Sequence, residues 1–241
     1  MGRRLLEPFA GTPFFEGIHS LFEKLEMQFF HESRALQEQL ADHFYLTTVG
    51  ASDYSNRSHL ISSVMSSIQD SKVLQISYLK NGNNTPSEYL VHPYSLVYHR
   101  NSLYIIGRSE AAKAMRHFKL DRVLNTVILE RQYEIPETFH VEDYLDGSFG
   151  IFSPGGKPHR VRIQFAPEAA GGVKESRWHR SQKFVDRKDG STVMTLTLRN
   201  LDEIKSWILS FGPLAKVLAP VELVESLQRD VEAMRRQYSE C

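Results

Sequence analysis

The sequence predicts an α+β protein in which helices come first and two groups of strands follow. Before residue 70, apolar residues recur at spacings of three and four, which is the period of a helix. From residue 72 onward, apolar and polar residues alternate, which is the period of a strand. In the last third, the patterns follow the order β-α-β-β-α-β and end with one further helix.

The composition is that of an ordinary globular protein. The 241 residues are 41% apolar, and 29 basic side chains balance 29 acidic ones. Proteins that coat duplex DNA nonspecifically are strongly basic, so this balance argues against that class and leaves room only for a local basic patch. The single cysteine, Cys241, excludes an internal disulfide and a cysteine-based zinc site. Without a signal peptide or an apolar run of ~18 residues, we expect a cytoplasmic protein with no membrane partner.

Residues 1–70 are expected to be mostly helical. One face of the first helix carries Phe15, Ile18, Phe22, Leu25 and Phe29. A second helical stretch covers residues 33–44. After a break at residues 50–58, a third amphipathic helix carries Ile61, Val64, Met65 and Ile68.

Residues 71–135 are predicted to form short strands. Leu74, Ile76 and Tyr78 alternate with polar residues, and Asn81-Gly82 then predicts a two-residue hairpin turn. Further strand-like runs cover residues 88–98, 103–108 and 115–120. Four or five short strands are too few for a sandwich, so they predict a small, strongly bent barrel.

Residues 136–158 are assigned to a linker with one helical turn near residues 142–145, and residues 159–241 form the last unit. Val161, Ile163 and Phe165 alternate in its first strand, and Asp189-Gly190 predicts a hairpin turn between two later strands. Trp207 and Phe211 lie on the apolar stripe of the helix that follows, which places them in the core. This order of elements predicts a ferredoxin-like split βαβ sandwich.

The motifs that carry common enzyme chemistry are missing. The chain has no phosphate-binding glycine loop, no dinucleotide-binding fingerprint, no nucleophile elbow and no zinc helix. We therefore expect no catalytic residues, no metal and no cofactor. A Ser-His-Asp site assembled from distant segments stays open, because such triads are defined by geometry and not by sequence.

The stretch from residue 100 to residue 122 is the most informative local feature. It holds six basic residues against two acids, with three rings interleaved. The basic residues are Arg100, Arg108, Lys113, Arg116, Lys119 and Arg122, the acids Glu110 and Asp121, and the rings Tyr104, His117 and Phe118. Guanidinium groups bind phosphate oxygens and rings stack on bases, so the stretch suits a phosphorylated or nucleotide ligand.

The same stretch has a plainer interpretation, in which the basic residues are solvated strand positions whose stems cover apolar surface. Period two places Arg116 and Arg122 on one strand face and His117 and Lys119 on the other. One pocket can hold residues of both faces only if the strand bulges or turns near Leu120-Asp121.

Three motifs in this region resemble the WYL domain. They are His92-Pro93-Tyr94-Ser95-Leu96, then Leu103-Tyr104-Ile105-Ile106-Gly107, then Arg116-His117-Phe118-Lys119-Leu120-Asp121-Arg122-Val123. The family's Trp-Tyr-Leu triplet is Leu103-Tyr104-Ile105 here, so only the tyrosine is retained. The C-terminal extension that accompanies WYL domains is resembled by Trp178, Ser181-Gln182, the runs 207–212 and 217–220, and Met234 with Tyr238. Together the matches cover about residues 70–240.

The resemblance implies a bacterial transcriptional regulator. Its WYL domain would be an Sm-like β-barrel over residues 71–135 and its extension would be ferredoxin-like over residues 159–241, with residues 1–70 as a helical connector or dimerisation segment. It also implies a homodimer and a WYL pocket that binds nucleic-acid ligands such as single-stranded DNA. By position, Tyr104, Arg116 and Arg122 match the family's signature residues. Tyr94, Arg108, His117 and Lys119 are added to the candidate site on charge and stacking chemistry.

One departure from the family concerns the start of the chain. Family members usually begin with a winged helix-turn-helix, and this sequence carries no such reader before its first predicted helix. Contact with operator DNA is therefore expected only through a reader that the sequence lacks. The favoured hypothesis is the ligand-sensing and dimerisation part of a WYL regulator. The alternatives are an accessory protein-interaction module of a defence or repair system, and a nucleic-acid hydrolase that would have only Glu110 and Asp121 near the basic cluster.

Overall fold

A computed structural model describes residues 15–18, 20, 21, 24, 50–152 and 156–239. The chain divides into two compact units, Met1–Glu137 and Thr138–Cys241. Residues 15–18, 20, 21 and 24 are helical. The rest of the two helices predicted before residue 45 lies outside the described residues.

The first unit combines one helix with a five-stranded antiparallel sheet. Its elements are α1 (Ser58–Gln69), β1 (Lys72–Tyr78), β2 (Ser87–His99), β3 (Ser102–Ser109), β4 (Ala114–Lys119), a 3₁₀ turn (Leu120–Arg122) and β5 (Val123–Gln132). The sheet order is β4-β3-β2-β1-β5. The mixed helix and antiparallel-sheet class that the sequence predicts is confirmed.

The predicted closed barrel is wrong for the described residues. The strands β4 and β5 follow one another in the chain, but they are the two edges of the sheet and no ladder joins them. The 3₁₀ turn between them redirects the chain, so that β5 pairs with β1. Register shifts in the β1–β5 and β2–β3 ladders add local twist and bend an otherwise open sheet.

Helix α1 covers one side of this sheet. Ile61 and Val64 are fully buried, and they pack in one core with Leu74 and Ile76 of β1. Met65, which the helical spacing places on the same apolar face, is 36% exposed. The buried face instead includes Leu60, so that contiguous apolar and small residues meet the sheet.

The turn after β1 is longer than the sequence predicts. Tyr78 pairs with Ser87, so residues 79–86 form the loop, and the N–H of Asn83 donates to the carbonyl oxygen of Lys80 within it. Gly82 has a φ of 78°. A two-residue turn of the Asn-Gly type needs a positive φ at both central positions, and among these residues only Gly82 has one. The prediction therefore gives the position of the turn correctly and its type wrongly.

The second unit contains a four-stranded antiparallel sheet with helices. Its elements are α2 (Val141–Leu145), β6 (His159–Phe165), α3 (Pro167–Lys174), β7 (Lys183–Asp186), β8 (Thr192–Leu198), α4 (Asp202–Leu209), a 3₁₀ turn (Gly212–Leu214), β9 (Ala215–Ala219) and α5 (Val221–Ser239). The sheet order is β7-β8-β6-β9. The predicted element order is confirmed, and the hairpin between β7 and β8 turns at Asp189-Gly190, where Gly190 has a φ of 83°.

Aromatic rings fill the core of the second unit. Trp207 is 9% exposed, and its ring centroid lies 4.7 Å from that of Trp178, 4.9 Å from that of Phe211 and 5.0 Å from that of Phe149. The core placement that helical spacing predicts for Trp207 and Phe211 is confirmed, with Phe211 partly buried.

A buried carboxylate ties the segment before β6 to helix α4. Glu203 is 5% exposed. It accepts hydrogen bonds from the backbone N–H groups of Gly150 (3.0 Å), Ile151 (3.2 Å) and Phe152 (3.0 Å). One side chain thus accepts from three consecutive backbone N–H groups, of which that of Ile151 belongs to a buried residue.

Candidate ligand-binding surface

Four of the predicted site residues share one face of the first sheet. In the β3–β4 ladder, Tyr104 pairs with Lys119, Ile106 with His117, and Arg108 with Met115. Paired residues project to the same side, and so do alternate residues along a strand. Tyr104, Arg108, His117 and Lys119 therefore lie on the same face, which we call the basic face.

Arg116 lies on the opposite side of β4, beside a cleft of about 420 Å³. The residues that line this cleft, called the edge cleft, are Tyr78, Lys80, Tyr89, Ser109, Ala111, Ala112, Arg116, His117 and Phe118. Because β4 is an edge strand, consecutive residues from both of its sides reach the same opening. The turn near Leu120 that such an arrangement requires is present as the 3₁₀ turn.

Three rings form the apolar wall of the edge cleft. The ring centroids of Tyr78 and Tyr89 each lie 5.3 Å from that of Phe118, and 6.1 Å from one another. The ammonium group of Lys80 lies 5.4 Å from the ring centroid of Tyr89, at cation–π distance. The hydroxyl of Tyr78 accepts a hydrogen bond from the N–H of Lys119 at 3.3 Å, which fixes the ring against β4. Rings and cations from four segments of the chain thus meet in one concave place.

His117 contributes a neutral ring to this place and no positive charge. Burial, and then the neighbouring guanidinium of Arg116, lower the pKa of His117 from 6.5 to about 4. At neutral pH the imidazole is therefore a hydrogen-bonding and stacking group. The positive charges at the edge cleft come from Lys80 and Arg116.

The end of β4 is anchored by Asp121. The ammonium of Lys119 lies 3.7 Å from its carboxylate, and the hydroxyl of Tyr54 donates to the same oxygen at 3.0 Å. Arg57 donates to the carbonyl oxygens of Leu120 and Val123, both at 3.2 Å. Lys119 therefore has a nearby counter-charge, and the 3₁₀ turn is held from two sides.

Arg122 does not join the edge cleft. Its carbonyl oxygen accepts the N–H of Leu79 at 2.9 Å, which joins the 3₁₀ turn to the end of β1. Its side chain is half-buried and is not among the groups that line the cleft. The structure therefore separates Arg116 from Arg122, which the strand period had placed on one face.

Tyr94 belongs to a different cluster, at a register shift in β2. Its ring is stacked on Tyr133 with a centroid distance of 6.0 Å, and His92 stacks on the same tyrosine at 4.9 Å. The hydroxyl of Tyr133 donates to the carbonyl oxygen of Pro93. Burial raises the pKa of Tyr133 well above its ordinary value, so the hydroxyl keeps its proton.

A carboxylate closes this second cluster. The Nε2 atom of His92 lies 2.8 Å from Glu110, and Arg131 forms an ion pair with the same carboxylate. The hydrogen bond from His92 and the charge of Arg131 lower the pKa of Glu110. Glu110 is therefore an anion that offsets part of the positive charge around Arg108, which faces His92 across the β2–β3 ladder.

The sequence missed Tyr78, Lys80 and Tyr89 as members of the edge cleft. All three come from β1, β2 and the loop between them, outside the basic stretch of residues 100–122. Only the β1–β2 pairing and the bend of the sheet bring them to β4, and neither follows from local spacing. In the described part of the chain, no group of three or more His, Cys, Asp or Glu residues could hold a metal ion. Within that part, no helix is both long and apolar enough to cross a membrane.

Comparison with known protein families gives one match in each unit. Residues 59–128 match the WYL domain, and residues 157–235 match the WCX domain. Protein PafC of Mycobacterium tuberculosis, in two strains, is 22% identical over 169 residues, which covers 68% of this chain and 50% of the relative. The chain thus spans about half the length of the curated relatives that it matches.

Two solved structures are remotely similar. The proteasome accessory factor B/C (PafBC) of Arthrobacter aurescens is 17% identical with a TM-score of 0.36, and the alignment covers 78% of this chain and 28% of that one. A CRISPR Cas-related protein is 13% identical with a TM-score of 0.48, and the alignment covers 74% of this chain and 51% of that one.

Proposed function

The chain is a WYL- and WCX-domain protein with homology to PafC, and from this premise we propose that it is the ligand-sensing and dimerisation part of a bacterial transcriptional regulator. The effector is a nucleic acid or nucleotide, such as single-stranded DNA, and it binds at the edge cleft. The role is binding and not catalysis, which agrees with the regulatory character of both matched domains.

One observation carries the proposal, namely the convergence of three rings and two cations at the edge cleft. Tyr89 offers a face for an unstacked base, and Lys80 and Arg116 offer donors for phosphate oxygens. Single-stranded ligands are recognised in this way because their bases can turn out and stack on aromatic side chains. A cleft of about 420 Å³ accepts a nucleotide-sized group and is too small for a duplex.

The basic face extends the proposed site beyond the cleft. Tyr104, Arg108 and Lys119 continue the surface from His117, which belongs to both. In this proposal they follow the ligand's backbone. Tyr94 and Arg122 act indirectly, Tyr94 through the ring stack on Tyr133 and Arg122 through the 3₁₀ turn.

The remaining expectations belong to the same proposal. We assign the five-stranded sheet to the Sm-like class, without a ladder that closes it, and the second unit to the ferredoxin-like class, because the order β7-β8-β6-β9 is the one that a split βαβ unit generates. The protein acts in the cytoplasm as a homodimer, for which exposed apolar residues of α5, Val231 and Met234, offer a contact surface.

Titration of a fluorescein-labelled oligothymidylate by anisotropy tests the cleft. The variant Lys80→Gln/Arg116→Gln should bind at least about tenfold more weakly at low salt, since a hydrogen bond to a charged group contributes ~1.5 kcal/mol or more. Tyr89→Leu should also weaken binding, because stacking on a ring contributes ~1–3 kcal/mol per base.

The matched control is Lys72→Gln/Lys205→Gln. It removes the same charge at side chains that pair with Glu130 and Asp230 and do not line the cleft. This control should bind like the wild type. Absence of wild-type binding at low salt, or an equally large decrease in the control, would refute the assignment of the cleft.

A further inference from the structure

The outer side of the four-stranded sheet in the second unit is a row of cations. Along β6, Val161 and Ile163 are fully buried, while Arg160 and Arg162 project to the exposed side. The ladders extend this side across the sheet, since Arg162 pairs with Thr195 of β8 and Thr195 pairs with Lys183 of β7. Arginine, threonine and lysine therefore stand side by side on three neighbouring strands.

A shallow cleft of about 310 Å³ lies on this side of the sheet. The cleft is lined by Arg160, Arg162, Val185, Arg187, Val193 and Thr195. We call these residues, together with the neighbouring Lys183, the arginine face. The guanidinium of Arg187 donates to the side-chain oxygen of Gln164 at 3.1 Å, which holds it over the sheet. Three guanidinium groups from two segments thus border one concavity.

Acidic side chains are nearly absent from these strands. Asp186 is the only one in β6 to β9, and it points to the helical side, where Lys174 of α3 donates to both of its oxygens at 3.0 and 3.1 Å. Asp189, in the hairpin loop, accepts hydrogen bonds from the hydroxyl and the N–H of Ser191, and these bonds, with a smaller contribution from the charge of Arg187, lower its pKa. Among the residues that the structure describes, no carboxylate forms an ion pair with Arg160, Arg162 or Lys183.

We propose that the arginine face binds the phosphodiester backbone of single-stranded nucleic acid without reading its bases. Arginine, lysine and threonine are the donors that proteins use for phosphate oxygens. The arginines of β6 are two residues apart, about 7 Å, which suits a ligand with regularly repeated charges. Exposed faces of four-stranded sheets bind single strands in other modules, where rings stack on the bases.

The absence of rings on this face determines the mode of binding. Phe165 and Phe184 both pack toward the helical core. Within the described residues, the face therefore offers guanidinium, ammonium and hydroxyl donors and no aromatic platform, so contact is to the backbone and independent of sequence. An acidic peptide would need an apolar recess for an anchoring side chain, and the two valines of the lining form none, because Val193 is buried in the sheet and Val185 is 65% exposed on the surface.

This second surface does not depend on the edge cleft, because every residue that forms it lies in the other unit.

The experiment measures the salt dependence of oligothymidylate binding by the full chain. Arg160→Gln/Arg162→Gln removes two cations that bind phosphate groups, so the slope of log K against log salt concentration should become shallower by about 1.4. The control Arg235→Gln/Arg236→Gln removes the same charge from α5, where both arginines already pair with Glu232. It should keep the wild-type slope, and circular dichroism should show all variants folded.

Two results would overturn the proposal. One is a wild-type slope in Arg160→Gln/Arg162→Gln, and the other is competition by polyglutamate as effective as that by unlabelled oligothymidylate of equal charge. Lys80→Gln/Arg116→Gln separates the two surfaces. If only Lys80→Gln/Arg116→Gln binds more weakly, the arginine face is refuted and the edge cleft is supported. If only Arg160→Gln/Arg162→Gln binds more weakly, the edge cleft is refuted and the arginine face is supported.

Discussion

The two antiparallel sheets of this chain differ in how their charged side chains are distributed. In the five-stranded sheet, cations are interleaved with acids and rings, so that Lys119 lies near Asp121 while His92 and Arg131 share Glu110. In the four-stranded sheet, the cations stand on the outer side and the carboxylates lie elsewhere, with Asp186 toward α3 and Glu203 in the interior. The cations of the first sheet are evident from a count of charges along the sequence. Those of the second sheet are seen to share one side only when the strand pairing is known.

A basic stretch of sequence is therefore a weaker sign of an anion site than a basic side of a sheet. Arg100 to Arg122 has an excess of four positive charges in sequence, yet its members spread over the basic face, the edge cleft and the 3₁₀ turn. Strand β6 contributes two arginines and β7 one lysine, but alternation directs all three to one side. Summed potential depends on which charges share a surface.

A substitution that disturbs close backbone packing in the first sheet should change stability the most. A Cβ at Gly107 of β3 would lie 2.3 Å from the carbonyl oxygen of His92 and 2.9 Å from the Cα of Pro93. Gly107→Ala must push two strands apart at the register shift, and we expect it to lower the free energy of unfolding by about 3 kcal/mol. Urea unfolding followed by far-ultraviolet circular dichroism measures the change.

The matched substitution in the second unit is Gly171→Ala. Gly171 lies inside helix α3, and a Cβ there meets nothing within 4 Å. This change should raise the free energy of unfolding by about 0.5–1 kcal/mol, because alanine restricts the unfolded chain and favours the helix. A stable Gly107→Ala variant would mean that β2 and β3 do not approach one another closely at this point.

The next effect concerns Glu203, the one acid that is buried among the described residues of the second unit. Glu203→Ala removes the acceptor for three backbone N–H groups, and we expect the free energy of unfolding to fall by about 2–3 kcal/mol. Glu203→Gln keeps one carbonyl oxygen and should be less destabilised. Both tryptophans of the sequence lie in this unit, so intrinsic fluorescence follows its unfolding directly. Equal stability of wild type and Glu203→Ala would show that other groups satisfy the three donors.

Much of the fold could be predicted from local pattern. Every strand that alternation indicated is present, and the helices expected at residues 142–145 and after Pro167 are present as α2 and α3. Strand order in the first unit could not be predicted in this way, because whether β4 and β5 close a barrel depends on a three-residue turn and not on their own composition. The prediction of a two-residue turn at Asn81-Gly82 failed for a similar reason, since the β1–β2 register fixes the length of the loop.

The candidate site was predictable by residue type and less so by position. Strand period correctly separates Arg116 from His117, but it also groups Arg116 with Arg122, because it takes the strand to continue through the 3₁₀ turn. Contacts between residues that are distant in sequence could not be predicted from local pattern. His92 meets Tyr133 only because the β1–β5 and β1–β2 ladders bring the end of β5 beside β2.

The third prediction uses pH to compare the two units. In the folded state the pKa of His117 is about 4, against 6.5 in an unfolded chain. Between these values the unfolded state binds a proton that the folded state does not, so the free energy of unfolding falls as pH drops from about 6.5 to 4. Above about pH 6.5, His117 is neutral in both states, and its titration no longer lowers the free energy of unfolding. Urea titrations at pH 7 and pH 5 should show a smaller difference in His117→Gln than in the wild type.

A residual pH dependence should remain in that variant. Burial also lowers the pKa of His179 in the second unit, so its effect has the same sign. Combining His117→Gln with His179→Gln should flatten the profile further. If His117→Gln has the same difference between pH 7 and pH 5 as the wild type, the imidazole is not desolvated in the folded protein.

The ion pair of Lys119 and Asp121 should contribute least to stability. It is an example of the neighbouring opposite charges in the first sheet. The two groups lie 3.7 Å apart and are each nearly a third exposed, so solvent screens them. A double-mutant cycle with Lys119→Met and Asp121→Asn should give a coupling of only ~0.2–1 kcal/mol in stability. Asp121→Asn should nevertheless tighten oligothymidylate binding at low salt, because it removes the nearest counter-charge of Lys119 on the basic face. Unchanged binding would place Lys119 outside the path of the ligand, and the basic face would then contribute through Tyr104 and Arg108 alone.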